Sequence, residues 1–257
     1  MYRFFVEKTQ IEEGFVRITG DDAHHLRDVL RARIGEKILV ACEDEWEYTC
    51  EVETILPEEV RATIVDAQRP AKELPSRITL FQCLPKGDKM ETVIQKAVEL
   101  GAYAIVPVAS ARCVVKLDAK KAEAKVRRWN AIAESAAKQA KRLIIPEVWD
   151  VMPFTEALSF AQGLSRADDA SGETESPALI LPYENAEGMA HTREQLESIQ
   201  PGRPVGILIG PEGGFSEEEV TLAEEAGFAP VTLGKRILRT ETAGMMILSV
   251  LSYLMEP

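Results

Sequence analysis

Two segments near the end of the chain carry residues suited to binding a small ligand. The first is Gly210–Gly214, a loop of three glycines, a proline and a glutamate that follows the apolar run Val205–Ile209. An apolar run of this length predicts a buried strand, and glycine and proline favour a loop after it. Ser216 and Glu219 have the spacing of a capping box, so we expect a helix to begin there. A buried strand that opens through a glycine-rich loop onto a helix is a typical ligand site in α/β proteins.

The glycine loop does not have the pattern of a phosphate site. Neither the Gly-Lys-Ser/Thr of a P-loop nor the G-x-G-x-x-G of a dinucleotide site is present. Glu212 and the acidic run Glu217–Glu219 would repel a polyphosphate. A ligand with a cationic centre fits this loop better, and S-adenosylmethionine, which is a sulfonium, is such a ligand.

The second segment is Leu233–Gly244, which repeats the order strand, loop and helix. Thr240 and Glu241 can be explained as an ordinary helix cap and an acidic first turn. Arg236 and Arg239 cannot be explained in this way, because the helix dipole disfavours cations ahead of a helix N-terminus. We therefore expect an anion, either an RNA phosphate or the carboxylate of Glu212, to meet one of the two arginines.

Length and charge limit the possible classes of protein. A chain of 257 residues, of which 46% are apolar, can form a sizeable core and two domains. The net charge of −12 argues against indiscriminate nucleic-acid binding. The charge is uneven, however: residues 43–59 hold eight acidic and no basic side chains, whereas residues 116–142 hold nine basic and three acidic ones. A basic segment of this kind is either a solvated face or the surface that docks one RNA site.

Other sequence features favour a cytoplasmic protein without a metal. No apolar run approaches the ~20 residues of a membrane-spanning helix, and the N-terminus lacks the pattern of a signal peptide. The four cysteines are scattered, so we expect free thiols. His24 and His25 have no further ligands nearby, so we expect no metal site.

The periodicity changes after about residue 70. Residues 1–70 predict a small barrel of short strands, with one helix near Asp22–Ala32, and residues 69–75 predict a linker. From Ser76 onward strands and helices alternate, which predicts a mostly parallel sheet covered by helices. The polar segment Ser165–Pro177 predicts a mobile surface loop. The strands expected after Ser76 are Ile78–Leu84, Ala104–Val108, Ala178–Leu181, Val205–Ile209 and Pro230–Leu233. The helices are Asp88–Leu100, Ala119–Lys141, Phe154–Phe160, Thr192–Ile199, Glu217–Ala226 and Glu241–Met255.

Both ligand segments together resemble the signature of the SPOUT methyltransferases. They are most similar to the family that methylates N3 of a uridine in small-subunit ribosomal RNA, the RsmE family. Further similar runs are His24–Arg33, Leu84–Ala102 and Arg128–Val148, so the resemblance covers both halves of the chain. Two places depart from the family pattern: Ser110-Ala111-Arg112-Cys113 stands where Ser-Glu-Arg-Ser is usual, and Lys138-Gln139-Ala140 stands where Glu-Gln-Ser is usual, so a carboxylate is missing at each.

The resemblance implies an α/β fold with two domains. Residues 1–70 would form a PUA-like β-barrel that helps to bind RNA. Residues 71–257 would form a SPOUT domain whose segment from about 178 to 257 makes a trefoil knot. S-adenosylmethionine would bind in the knot, two chains would pair through it as a homodimer, and the partner would be 16S rRNA or the small ribosomal subunit.

The resemblance also assigns roles to individual residues. The expected cofactor-binding residues are Leu181, Gly210, Pro211, Glu212, Gly213, Leu233, Gly234, Ile237, Leu238 and Ala243. The expected RNA-binding residues are Arg27, Arg31, Lys86, Arg112, Arg142 and Arg236. The catalytic candidates are Arg239, Glu212 and Glu241, with Glu184 as a further possible base.

Uracil N3 must lose its proton before it can accept a methyl group. A glutamate could take the proton as a general base, or an arginine could stabilise the resulting anion without a base. The sequence leaves both routes open. Three other functions also stay open: methylation of another RNA such as tRNA, a non-catalytic RNA-binding assembly factor and, more remotely, a nucleotide hydrolase.

Overall fold

The computed structural model describes residues 1–42, 46–164, 176–186 and 188–256. Two compact units divide the chain: unit 1 is Met1–Glu73 with Ala137–Ile144, and unit 2 is Leu74–Ala136 with Ile145–Pro257. The domain limits expected from the sequence, 1–70 and 71–257, stay a prediction. Nothing in the sequence suggested that residues 137–144 group with unit 1.

Unit 1 contains a curled six-stranded sheet. Its strands are β1 (Arg3–Val6), β2 (Ile11–Glu12), β3 (Phe15–Thr19), β4 (Lys37–Cys42), β5 (Glu47–Ile55) and β6 (Glu59–Gln68). They lie in the order β1-β4-β5-β6-β3-β2, with β1 and β4 parallel and the other pairs antiparallel. Alternate residues of β3 and β4, such as Val16, Ile18, Ile38 and Val40, are fully buried because successive side chains face opposite sides of a strand.

The helix predicted at roughly Asp22–Ala32 begins two residues earlier and ends three residues earlier, and its second half is π-helical. A short helix α1 (Gly20–His24) continues as one π-helical turn, His25–Val29. Two residues after this segment, Arg31 has a φ of 54°, which lies in the left-handed region and cannot continue a right-handed helix. Leu26 is fully buried in the core of unit 1, which anchors this segment.

Unit 2 contains a parallel sheet, as expected. Its strands are β7 (Ile78–Cys83), β8 (Ala104–Ala109), β9 (Glu147–Val148), β10 (Met152–Pro153), β11 (Ala178–Pro182), β12 (Val205–Ile209) and β13 (Ala229–Val231). The order is β10-β8-β7-β12-β11-β13, and β9 also pairs with β8. Each of these pairings is parallel. Every residue of β7 and of β12 is buried, which explains why β12 is continuously apolar and why β7 has only Thr79 and Gln82 as polar residues.

The helices follow the predicted alternation closely. They are α2 (Lys89–Glu99), α3 (Ala119–Ala140), α4 (Phe154–Gln162), α5 (Met189–Glu197), α6 (Glu217–Glu225) and α7 (Thr240–Met255). The expected apolar stripe of α2 is buried, including Met90, Val93 and Ile94. The two-residue strands β9 and β10 were missed, because such short pairings leave no periodicity in the sequence.

The ends of two predicted elements differ from the structure. Helix α5 begins at Met189, three residues before the expected Thr192, and β13 ends at Val231 rather than Leu233. Most of the loop predicted at Ser165–Pro177 lies outside the described residues. No helix in the described ranges is both long and apolar enough to cross a membrane. The α/β fold class expected from the sequence is confirmed, whereas closure of the barrel and the knot stay predictions.

Candidate functional site

A cavity lies at the carboxyl edge of the parallel sheet in unit 2. Strands β11, β12 and β13 are neighbours there, so the loops that follow them come together. The cavity has a volume of about 510 Å³, within the range of small-molecule sites. Its lining residues are Lys89, Pro182, Glu184, the loop 209–215, the segment 237–240 and Ala243. The two segments singled out in the sequence therefore form one site.

A smaller recess adjoins this cavity. It has a volume of about 220 Å³ and shares the residues Pro182, Glu184, Ile237, Leu238 and Ala243 with the first. Leu233, Gly234 and Arg236 line the recess. Together the two spaces contact every residue expected to bind the cofactor except Leu181, which is fully buried within β11. Pro182, the next residue, lines both spaces and was not expected.

Close packing explains the glycines of the first loop. A Cβ on Gly210 would lie 3.1 Å from the ring of Phe215, and one on Gly213 would lie 3.3 Å from Cβ of Arg112. Gly214 instead has a φ of 64°, which L-residues rarely adopt. The loop is thus held close to its neighbours, and its backbone groups lie at the cavity.

The capping box expected at the start of α6 is confirmed, and its glutamate also contacts the loop after β8. Glu219 Oε2 accepts a hydrogen bond from the Ser216 backbone N–H at 3.0 Å, and the Glu219 N–H donates to Ser216 Oγ. Glu219 Oε1 also accepts from the backbone N–H of Ala111 at 2.7 Å. The Arg112 guanidinium donates to the carbonyl oxygen of Gly213 at 3.0 Å. These contacts attach the loop after β8 to the glycine loop.

Thr240 links the two ligand segments. Its Oγ1 donates to the carbonyl oxygen of Gly210 at 2.6 Å and accepts from Gln82 Nε2 at 2.9 Å. The expected capping role of Thr240 is wrong, since Arg239 is the N-cap residue and no side chain caps this helix. Sequence patterns gave no sign of Gln82, which lies fully buried inside β7.

Lys89 lies between two of the catalytic candidates. Its Nζ is 2.8 Å from Glu212 Oε1 and 3.4 Å from Glu241 Oε2. The backbone N–H of Lys86 also donates to both carboxylate oxygens of Glu212, at 3.1 and 3.3 Å. Burial alone would raise the pKa of Glu212, but the hydrogen bonds from Lys89 and from backbone N–H groups outweigh it, so the pKa lies below the usual range. Glu212 is therefore ionised, and both of its carboxylate oxygens already accept hydrogen bonds.

The other catalytic candidates differ in their access to the cavity. Arg239 is exposed and lines it, and Glu184 lines it from the loop after β11. Glu241 is not one of the lining residues and contacts Lys89 instead. The carboxylate of Glu212, one of the anions expected to meet Arg236 or Arg239, contacts Lys89 instead.

The residues expected to bind RNA fall into two groups. Arg31, Lys86, Arg112 and Arg236 have exposed side chains. Arg27 already uses part of its hydrogen-bonding capacity, because its guanidinium donates to Asp28 and to the carbonyl oxygen of Pro57.

Arg142 does not support an RNA-binding role. Its side chain is only 6% exposed and forms an ion pair with Glu73 within unit 1. Glu73 also accepts from the backbone N–H of Leu143 at 2.8 Å, and Arg3 donates to the carbonyl oxygen of Arg142 at 3.1 Å. These contacts give Arg142 a structural function, which its place in the basic segment 116–142 could not reveal.

The described residues show no metal centre. No group of three or more His, Cys, Asp or Glu side chains among them is arranged to hold a metal ion. The four cysteines are free and buried. Cys113 contacts Ser110 Oγ at 3.2 Å, and its pKa is lowered to about 6, first by a hydrogen bond with Cys83 and against the effect of burial.

Comparison with known proteins agrees with this site. Residues 72–252 match the family model of an RNA methyltransferase domain, and residues 18–65 match that of an RNA methyltransferase PUA domain. Ribosomal RNA small subunit methyltransferase E of Bacillus subtilis is 38% identical, over 100% of this chain and 98% of that protein. The protein of the same name from Synechocystis is 31% identical, over 99% of this chain and 78% of that protein.

Solved structures show the same similarity. Ribosomal RNA small subunit methyltransferase E of Neisseria gonorrhoeae, bound to S-adenosyl methionine, has a TM-score of 0.80 and 32% identity, covering 99% of this chain and 98% of that chain. A structure from Legionella pneumophila with the bound cofactor SAM has a TM-score of 0.78 and 31% identity, covering 98% of this chain and 96% of that chain.

Proposed function

This chain belongs to the RNA methyltransferase family that includes ribosomal RNA small subunit methyltransferase E, and we propose that it methylates N3 of a uridine in 16S rRNA. S-adenosylmethionine is the methyl donor. The observation that carries the proposal is the single cavity formed by the glycine loop and the segment 237–240, with exposed cationic side chains beside it.

The cavity fits the cofactor in its chemistry. Polar contacts come from the backbone groups of Gly210–Gly214. An apolar wall is formed by the side chains of Ile237, Leu238 and Ala243. The carboxylates of Glu184 and Glu212 favour a cationic ligand by simple attraction. The bound cofactor supplies an electrophilic methyl group. The protein holds the two reactants in line, and such alignment lowers a barrier by roughly 7–11 kcal/mol when the geometry is ideal.

The target base must leave any stacked arrangement to reach the cavity. Its N3 proton lies between two carbonyl oxygens, which take up negative charge when the proton is lost. Arg239 lines the cavity and can stabilise that charge as a hydrogen-bond donor. Glu212 is a weak candidate for the base because its lowered pKa and its bonds to Lys89 reduce its proton affinity. We therefore favour charge stabilisation over a glutamate base.

Exposed cationic side chains of each unit would bind the RNA. They are Arg31 in unit 1, and Lys86, Arg112 and Arg236 in unit 2; the half-buried Arg27 of unit 1 is a further candidate. Phosphate contacts of this kind position the RNA without reading its sequence. Since the substrate is an RNA and the net charge is −12, binding depends on where these cations lie rather than on total charge.

A homodimer formed through the segment 178–257 is part of the proposal. On this segment Tyr253 is 85% exposed and Ile237 is 92% exposed, and pairing through these side chains would remove apolar surface from water. We place the protein in the cytoplasm, where small ribosomal subunits are assembled.

A direct assay tests the proposed substrate. Purified protein is incubated with methyl-labelled S-adenosylmethionine and either small ribosomal subunits, 16S rRNA or tRNA, and the RNA is digested to nucleosides. We expect label in N3-methyluridine from the small-subunit samples. Label in tRNA alone would favour the alternative substrate, and cofactor-independent RNA binding without any label would favour an assembly factor.

A further inference from the structure

We propose that Lys89 is a catalytic residue of the methyl transfer, whose ammonium donates a hydrogen bond to a carbonyl oxygen of the target uracil while two glutamates hold it in place. This inference rests on the proposed uridine-N3 activity. It assigns to Glu212 and Glu241 the task of orienting Lys89, rather than the task of removing a proton.

The position of Lys89 supports this role. It is the first residue of α2, it lines the cavity, and its side chain is 32% exposed. Its two carboxylate partners come from different elements: Glu212 from the glycine loop and Glu241 from the first turn of α7. An ammonium has three N–H donors, so two can face the carboxylates while the third serves a ligand.

The charges around Lys89 keep it protonated. A cation at a helix N-terminus is disfavoured by the helix dipole, so this lysine needs compensating partners. The hydrogen bond to Glu212 raises the pKa of Lys89 most, and Glu241 raises it further, against a smaller opposing effect of burial. Lys89 is therefore a donor at neutral pH and not a base.

Both glutamates already contact Lys89. Glu212 already accepts from Lys89 and from the backbone N–H of Lys86. Glu241 Oε2 is buried with no hydrogen-bond partner among the described residues beyond its 3.4 Å ion pair with Lys89. It does not line the cavity. A carboxylate in that position contacts Lys89 rather than a ligand in the cavity.

The methyl transfer needs no side chain as a base. The N3 proton leaves to water, and negative charge appears on the two uracil carbonyl oxygens. Lys89 would stabilise the charge on one oxygen, and Arg239, which lines the same cavity, is available for the other. The electron pair of N3 then forms the bond to the methyl carbon, while the electron pair of the broken carbon–sulfur bond stays on sulfur.

The test compares Lys89→Met with Lys89→Arg. Removing one such donor lowers turnover by about 10²–10³-fold, so we expect that loss in Lys89→Met at neutral pH, with most activity kept in Lys89→Arg. Lys96→Met is the matched control, because Lys96 lies on the same helix, outside the cavity, and pairs with Glu99. Calorimetry should show that Lys89→Met binds S-adenosylmethionine no more weakly than the wild type, because the carboxylates of Glu184 and Glu212 are kept.

The pH profile separates catalysis from structure. Without Lys89 the bound uracil ionises only at higher pH, so the deficit of Lys89→Met should shrink as pH rises. Lys89→Met keeps the other charged side chains that line the cavity, Glu184, Glu212 and Arg239. Glu212 and Glu241 lose their cationic partner in Lys89→Met but keep one in Lys89→Arg, so the pH profiles of the two variants are compared. An equal loss at every pH, a loss of cofactor affinity, or full activity of Lys89→Met would each overturn the inference. A wild-type protein that methylates no uridine N3 would refute the proposed function itself.

Discussion

Thr240 Oγ1 donates a hydrogen bond of 2.6 Å to the carbonyl oxygen of Gly210 and so joins the two loops that form the cavity. Gln82 Nε2 donates to the same hydroxyl, and both side chains are buried. The start of the glycine loop is thereby fixed relative to the first turn of α7. The geometry of the cavity depends on this link.

Replacing Thr240 by valine should weaken the cofactor site. Thr240→Val leaves the Gly210 carbonyl oxygen without this donor and Gln82 Nε2 without this acceptor, and an unsatisfied buried polar group costs about 1–3 kcal/mol. We expect lower stability in denaturant unfolding and weaker S-adenosylmethionine binding by calorimetry. Thr240→Ser should restore both. Thr242→Val, at an exposed position two residues on, is the control, and equal effects of both valines would contradict the role of Thr240.

Added side chains at the loop glycines should also reduce cofactor affinity. Gly213→Val would place its Cβ 3.3 Å from Cβ of Arg112, and Gly234→Ala would force an L-residue into a φ of 107°. We expect both variants to lose measurable S-adenosylmethionine binding while staying folded. Gly188→Ala, where a Cβ meets nothing within 4 Å, is the matched control. Normal affinity of either loop variant would refute the assignment of the site.

The ion pair of Glu212 should make a pH-dependent contribution to stability. Its pKa in the folded protein lies below the ordinary value, so the contribution is present above the unfolded pKa and is lost as pH falls through the folded pKa. The wild type should therefore exceed Glu212→Gln in free energy of unfolding at neutral pH, and the difference should vanish in acid. Glu217→Gln, at an exposed position, should show no such difference. A constant difference at all pH values would show that charge is not its cause.

Glu219 should stabilise unit 2 through two loops at once. Glu219→Ala removes the acceptors of the Ser216 and Ala111 N–H groups, so we expect a loss of about 1–3 kcal/mol in unfolding free energy. Glu218→Ala, one residue earlier and exposed, should cost far less. Equal losses in the two variants would mean that helix propensity, rather than these hydrogen bonds, explains the effect.

Local patterns predicted much of this structure. The capping box of Ser216 and Glu219 was readable because its partners are three residues apart. The alternation of strands and helices predicted a parallel sheet, since each buried strand is followed by an amphipathic helix. The glycine loop and the segment 237–240 were each recognisable from composition, and their meeting at one cavity follows from the neighbouring positions of β11, β12 and β13.

Contacts between distant residues could not be predicted in this way. Lys89 and Glu212 are 123 positions apart, and Gln82 and Thr240 are 158 apart, so no spacing rule connects them. Arg142 looked like its basic neighbours because its partner Glu73 is 69 positions away. The sequence shows which residues are charged, whereas the fold decides which of them are paired.

The most direct measurement is N3-methyluridine in small-subunit rRNA from cells with and without this protein. The rRNA of a deletion strain, its parent and the complemented strain is digested and analysed by mass spectrometry. We expect one N3-methyluridine to disappear on deletion and to return with the wild-type protein. Unchanged N3-methyluridine in the deletion strain would contradict it.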